Sequence, residues 1–533
     1  MRTILHVVVV GFHHKKGCQV EYVFPPLGEG NVEESLPSQW KNLPTLALPD
    51  GAHNVQQDFT YFLLPSLDST NKVVYGISCY RQIASETLIS RSSEVTRSTV
   101  QKSVCVISTL PLFGVLKAKL QLITHAYFNE KDFSKVDVLS QMYANLCDMF
   151  DNEDLVDGQA ASMDIPLRSV LLTFRHRILL LFKLFLLERK VLFYMFPAQC
   201  LGDTLISLIS LFPRLLEEGL DESNGQLKWR DPSPCREAVD VEEERGEEDK
   251  EERAEEREGE EEKRRQWLQS LGEDPLLAKK DSFGFPLSIF TLGNQFNPYI
   301  GLSMIDGLRS TKTRGFVVGA TNALFMQRRE LADVIVTVDG EGVGCVDIID
   351  GNLRKALNLS SADLRFTDFL IKNVEGSRDE APEYEGSNEW IRDQFRAYLL
   401  SLGASARSDL ATATLDFGPA FLSQWKDTVN YARWIDQGKH EDLVSVVPGH
   451  AYSGQLGVYD VMLRVEHSVG GSEHARKALS ALSSTGKSLG EKGGKMKSNI
   501  TSWFKGVTGQ VERTECEEAK EATVSDDVTP ETK

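Results

Sequence analysis

Apolar runs and short polar breaks alternate along this chain closely enough to write out most of its secondary structure. Ile4 to Val10 ends in four consecutive valines, a polar turn follows from His13 to Gly17, and Gln19-Val20-Glu21-Tyr22 then alternates. β-Branched side chains pack well on a pleated surface, so this pattern predicts a buried strand, a turn and a returning half-buried strand. Further strands are predicted at Asp58 to Leu64, Val73 to Tyr80 and Val100 to Ser108, with a helix from Phe113 to Phe128. Leu48-Pro49-Asp50-Gly51 reads as a turn, because proline presets φ and glycine supplies a positive one. Residues 1 to about 128 are therefore expected to form a small α/β module.

The pattern then changes. A helix is expected at Val136 to Asp148, and Leu167 to Leu187 is apolar almost all round, which predicts one helix buried inside a large domain. Val191 to Phe196 predicts a buried strand, and Gly202 to Leu211 a helix ending near Phe212-Pro213. Strands alternating with helices imply a largely parallel sheet covered on both faces. After a long polar interruption, strands are expected at Leu287 to Thr291, Tyr299 to Ser303, Gly315 to Gly319, Ala323 to Met326 and Asp333 to Val338. Their most economical partner is the sheet begun before the interruption. From Leu353 the pattern turns helical, with helices at Ala362 to Asn373, Glu389 to Ser401 and Phe417 to Trp434.

Composition explains the interruption. From Asp240 to Arg265 there are fifteen acidic and seven basic residues, and only Val241 and Ala254 are apolar. Such a run cannot bury enough surface to offset its ordering entropy, so a disordered or singly helical acidic insertion is expected over 220–281. It sits within a domain and does not divide two. The whole chain of 533 residues carries a net charge of −19, which argues against a nucleic-acid partner. Its eight cysteines are scattered, with no CxxC pair, and read as small buried residues of a reducing compartment. The N-terminal apolar run lacks the flanks of a secretory signal, so the cytosol is the default.

Ile178 to Phe196 is the best candidate for a membrane span, but Lys183 and Glu188-Arg189-Lys190 interrupt it. A buried helix followed by a buried strand accounts for it better, and the integral-membrane reading is disfavoured.

The search for catalytic chemistry returns no phosphate loop, nucleophile elbow, zinc helix or dinucleotide fingerprint, so no catalytic, metal or cofactor-binding residue is assigned and no cofactor is expected. Gly315 to Asn322 has suggestive glycines without the lysine of a phosphate cradle, and reads as a strand and turn. His13 and His14, adjacent on a turn, are expected to point apart, and Arg175-His176-Arg177 to lie on a solvated or carboxylate-paired helix face. The tail offers more. From Arg476 to Lys505 there are seven basic residues against one acid, Glu491. Wound as a helix over 475–507, Leu479, Leu482, Leu489, Met496, Ile500 and Trp503 fall on one stripe with Phe504 at its end. Lys487, Lys492, Lys495 and Lys497 accompany them, the make-up of a helix that lies on an anionic membrane surface.

Several blocks carry a family resemblance. Gly11-Phe12-His13-His14-Lys15-Lys16-Gly17-Cys18-Gln19-Val20-Glu21, Leu48 to Asn54, Tyr75 to Gln82, Gln101 to Val106, Leu120 to Phe128, Glu188 to Tyr194, Gly315 to Phe325 and Ala362 to Phe366 resemble the AVL-type late secretory pathway proteins. The resemblance covers about 1–216 and 283–467. It implies a place in the DENN-domain superfamily. The expected organisation is then an N-terminal longin-like α/β module over 1–128 and an α/β DENN core over 129–350 with a mostly parallel sheet. A helical part over 351–467 and a tail over 468–533 follow.

It further implies a cytoplasmic regulator of exocytic traffic, peripheral on Golgi-derived, exocytic or recycling endosomal membranes, with a role in cell migration in animals. Its partner would be a Rab-family small GTPase, on which it would act as a guanine-nucleotide exchange factor or as a non-catalytic scaffold or effector. Exchange needs differential affinity for two GTPase states and no covalent step. No GTPase-contacting residue follows from the resemblance.

Overall fold

Two five-stranded sheets carry the architecture in a computed structural model that describes residues 2–28, 36–68, 72–90, 98–150, 159–223, 262–376, 385–408 and 411–468. The first sheet contains β1 (Ile4–His13), β2 (Gly17–Phe24), β3 (Gln57–Pro65), β4 (Val73–Ala84) and β5 (Thr99–Ser108). Its order is β2-β1-β5-β4-β3, every pair antiparallel. The four valines of β1 are buried, with helix α2 (Asp137–Phe150) and the short helix Leu43–Ala47 both packing on that strand. Helix α1 (Phe113–Asn129) packs on β4 and β5. The strands and helix expected in this region all form, each within a few residues of its anticipated ends.

The second sheet contains β6 (Lys190–Tyr194), β7 (Asn294–Asn297), β8 (Gly315–Ala320), β9 (Val334–Val338) and β10 (Gly344–Ile348). Its order is β10-β9-β6-β8-β7, parallel except for β10. Segments on either side of the acidic run therefore share one sheet, as economy of pairing required. Its two faces are unequal. Val191, Phe193, Val317, Val334 and Val336 enter the large core, against helices α3 (Leu167–Phe174), α4 (Arg177–Leu186) and α5 (Ala198–Ile209). Leu192, Phe316, Val318, Ala320 and Ile335 face a small cluster completed by Ile300, Leu308, Phe325 and Ala332. That second face is covered only by a short helical turn over 302–308 and turns at 323–332, so the sheet is covered on both faces but thinly on this one.

Some expectations are corrected. Leu167–Leu187 is two helices, because Arg175 takes φ 47° and donates its N–H to Leu171 O, ending the first. Leu287–Thr291, Tyr299–Ser303 and Ala323–Met326 are not strands; the last is a 3-10 turn whose Leu324 N–H is capped by the Asn322 side chain. Short apolar runs are buried equally well by turns, and periodicity cannot separate the two. Strands β7 and β10 had not been anticipated.

The acidic insertion is narrower than 220–281. Leu220 is buried, residues 262–270 are helical, and Trp267 and Leu271 pack against Val429 and Ala432. Those two apolar side chains, one turn apart, anchor a segment that the preceding charge run obscured. Residues 224–261 lie outside the described set.

The C-terminal described part is helical, with α6 (Ser361–Gly376), α7 (Asn388–Arg407) and α8 (Pro419–Lys426). The single helix expected over Phe417–Trp434 stops after Lys426 and restarts at Val429. The Glu188 carboxylate, buried after α4, accepts from Val429 N and Asn430 N and from the Asn430 amide, and pairs with Arg314. Those N–H groups leave the helical ladder for a carboxylate on another element. The described residues up to Leu463 belong to one compact unit and Arg464–Ser468 to a second.

Candidate functional site

The two sheets meet on one helix. α5 packs on β3 of the first sheet and on β8 of the second. Toward β8 it sends Leu201 and Leu205, which approach the backbone of Gly319. Toward β3 it presents Gly202, where an added Cβ would lie 2.2 Å from Tyr61 Cδ2, so only glycine allows this approach. Next to it, Asp203 accepts from Tyr61 OH at 2.7 Å and pairs with Lys117 Nζ of α1 at 2.8 Å.

The start of α5 is held from outside. Pro197 precedes the helix and supplies no side-chain cap, yet the first amides are satisfied. Asp58 of β3 accepts from Ala198 N at 2.9 Å and Gln199 N at 2.8 Å, and from its neighbour Phe59 N at 2.8 Å. Burial pushes the Asp58 carboxyl up, while the three backbone N–H groups pull it down; the net direction is upward. The arrangement is an N-cap supplied across the seam, with the carboxylate at the positive end of the helix dipole.

A third clamp lies at the carboxyl ends of the parallel strands. Asp50 donates its backbone N–H to Tyr299 OH at 2.8 Å, its carbonyl accepts from Thr321 OH at 2.8 Å, and its carboxylate accepts from the Asn322 amide at 3.1 Å. Gly51 follows with φ 83°, and a Cβ there would sit 3.4 Å from Phe196. Cys18 of β2 is close enough for the Asp50 charge to act on it, and burial together with that charge pushes its thiol up to about 11. It is a protonated, unreactive thiol.

Around these clamps the seam opens to solvent. The Phe196 side chain is 44% exposed just beyond β6, and His53 and Asn54 are exposed on the adjoining turn. Crevices outside the carboxyl ends of parallel strands are the usual ligand-binding position of open α/β sheets. Here the Phe196 ring and the Asn54 amide both lie close to Gly51, and His53 is exposed on the same turn. A separate open groove of about 370 Å³ between α1 and α2 is lined by Ile123, Asp137, Val138, Gln141, Met142 and Asn145.

His13 and His14 stack at 4.9 Å and do not point apart, and His13 Nδ1 accepts from Lys15 N and Lys16 N, closing the turn. Among the described residues no three His, Cys, Asp or Glu groups gather as metal ligands. Arg175 pairs with the Glu375 carboxylate as expected, but His176 is buried against the Thr367 hydroxyl and Arg177 bonds Gly344 O, so the run is a helix junction and not one solvated or carboxylate-paired face. Gly315–Ala320 is strand β8.

Leu479, Leu482, Lys487, Leu489, Lys492, Lys495, Met496, Lys497, Ile500, Trp503 and Phe504 lie outside the described residues. Sequence reasoning missed Asp58, Asp203 and Tyr299. One signal was available: a helix starting at Pro197-Ala198-Gln199 has no capping residue of its own, so its cap had to come from elsewhere.

An antiparallel sheet and a mostly parallel one, locked on a shared helix, define a two-sheet α/β scaffold. The chain belongs to the Avl9 family: the family described as transport protein Avl9 matches residues 4–406. It is similar to the late secretory pathway protein avl9 of Schizosaccharomyces pombe, 30% identical over 467 residues, covering 84% of this chain and 90% of that one. It is also similar to the late secretory pathway protein AVL9 of Saccharomyces cerevisiae, 31% identical over 500 residues, covering 85% of this chain and 60% of the yeast protein. Among the described residues no helix is long and apolar enough to cross a membrane.

Proposed function

We propose that this Avl9-family protein regulates exocytic vesicle traffic by binding a Rab-family small GTPase at the seam, and that it promotes GDP release there. The antiparallel sheet would be a longin-like module, the parallel sheet a DENN core, and the helices after 351 its downstream part. One observation carries the reading: the exposed Phe196 ring stands where both sheets are clamped to α5, so a single partner can touch both modules at fixed spacing. An exchange factor acts by binding one state of its partner better than another, and a rigid two-module surface supplies such a difference without covalent chemistry. Residence would be cytoplasmic, peripheral on Golgi-derived, exocytic or recycling endosomal membranes, with the basic tail 475–507 as one membrane contact; in an animal, cell migration would depend on it.

Release of labelled GDP is the test, measured across a panel of Rab GTPases with the purified full chain. Acceleration for at least one GTPase, lost in Phe196→Asp, is expected. Flat release across the panel together with nucleotide-dependent pull-down would replace exchange by a scaffold or effector role. Flat release and no pull-down would refute GTPase binding.

A further inference from the structure

The thinly covered face of the second sheet carries a charge opposite to that of the chain. Between Gly301 and Ala332 there are five basic residues, Arg309, Lys312, Arg314, Arg328 and Arg329, and two acidic ones, Asp306 and Glu330, in a protein of net charge −19. Arg314 is consumed by the buried Glu188. The other four are exposed, Arg309 and Lys312 just after the first of the two turns that cover the sheet and Arg328 and Arg329 on the second. The turns are neighbours: Met304, Ile305 and Met326 pack on one cluster with Leu308 and Phe325, and Arg309 reaches Glu330 of the other turn at 3.6 Å. Arg328 reaches that same Glu330 at 3.7 Å, so one carboxylate faces two guanidinium groups. Arg329 lies 3.2 Å from Asp347, both well exposed. Pairs of this length and exposure contribute little and are readily exchanged for other anions.

Apolar side chains stand among these cations. Leu302 is 37% exposed and Leu324 44% exposed, one on each turn, with Met304 and Ile305 half-buried beneath. We infer that this face is a second membrane contact, in which Arg309, Lys312, Arg328 and Arg329 meet anionic headgroups while Leu302 and Leu324 enter the interface. Guanidinium and ammonium groups around projecting leucines match both layers of an anionic leaflet, whose surface potential attracts basic side chains. A lipid surface fits better than an acidic protein segment, because the cations surround projecting leucines that a purely acidic segment would leave uncovered. The family is described as one of transport proteins, and a surface contact of this kind needs no membrane-crossing segment. The inference does not depend on GTPase binding at Phe196.

Flotation of the full chain with vesicles of phosphatidylcholine, alone or mixed with phosphatidylserine, tests it. Two backgrounds are compared, the natural tail and a full-length tail variant with Lys487, Lys492, Lys495 and Lys497 changed to Ala. In both, Arg328→Ala with Arg329→Ala should lower partitioning onto phosphatidylserine vesicles by roughly tenfold or more. Leu302→Ser with Leu324→Ser should also lower it, with circular dichroism unchanged because both side chains are already exposed. Lys15→Glu with Lys16→Glu, on the hairpin of the first sheet, should change it by less than about twofold.

Binding within about twofold of the tail-neutralised parent for the arginine variant in that background overturns the inference, as does an equal loss in the hairpin variant. So does equal binding to both vesicle types. Capture of poly-glutamate that requires Arg328 and Arg329, without vesicle binding, would reassign the face to an acidic protein segment.

Discussion

Asp58→Ala should loosen the seam from one end. The substitution removes the acceptor for Ala198 N and Gln199 N at the start of α5, in a place where Asp58 itself is 1% exposed. Each buried N–H left without a partner costs about 1–3 kcal/mol. Losing a capping side chain alone costs about 0.5–2 kcal/mol in simpler helices. Two terms work the other way: water can reach an opened helix end, and the variant no longer buries a carboxylate, whose upward-shifted pKa shows that burial is unfavourable. The net loss expected is about 2 kcal/mol. Urea denaturation followed by circular dichroism reads the total, and hydrogen exchange reads the location, with protection lost first at the start of α5. Asp58→Asn keeps one acceptor and should lose about half as much. A loss below about 0.5 kcal/mol with unchanged exchange at 198–204 would refute the cross-seam cap.

Four further outcomes follow from the same geometry. Gly202→Ala should destabilise by about 1–3 kcal/mol, because its Cβ overlaps Tyr61, and the smaller ring space of Tyr61→Leu should restore part of the loss in a double variant. Lys183→Met should cost about 3–5 kcal/mol by denaturation, since it strands Asp363, which Lys183 contacts at 2.5 Å with both groups fully buried. Burial would raise the Asp363 carboxyl, but Lys183 and His450 outweigh it and hold it down at about 2. Its contribution is therefore present above the unfolded value and lost as pH falls through about 2, so the stability gap between wild type and Asp363→Asn should close between about pH 4 and pH 2. Phe196→Asp should abolish GDP-release acceleration while leaving the denaturation midpoint unchanged, because the ring is already half in solvent.

Legibility from the sequence followed the physics of each segment. The first sheet was readable because every strand has strong apolar or alternating character and the breaks are polar; Val7–Val10 and Leu48-Pro49-Asp50-Gly51 announce themselves. The second sheet was only half readable. β6, β8 and β9 contain apolar runs, but Asn294–Asn297 is short and polar and Gly344–Ile348 is broken by Gly344 and Asp347, and their pairing is a tertiary fact. Turns at 300–308 and 323–332 bury apolar side chains as strands would, which is why two of them mimicked strands. The seam was the least readable feature. Asp58, Asp203 and Tyr299 are ordinary residues locally, and their bonds span between 140 and 249 positions of sequence. Proximity of that kind exists only after folding.

The placement of α5 also decides how the protein can be cut. A fragment ending after α2 would keep all five strands of the first sheet, yet it would bare Tyr61 and Asp58, both now covered by a helix encoded some fifty residues later. A fragment beginning at β6 would keep that helix but turn Gly202 and Asp203 to water with nothing opposite them. Neither half is a separable cassette, and swapping one sheet between relatives would require exchanging one face of a helix that belongs to the other.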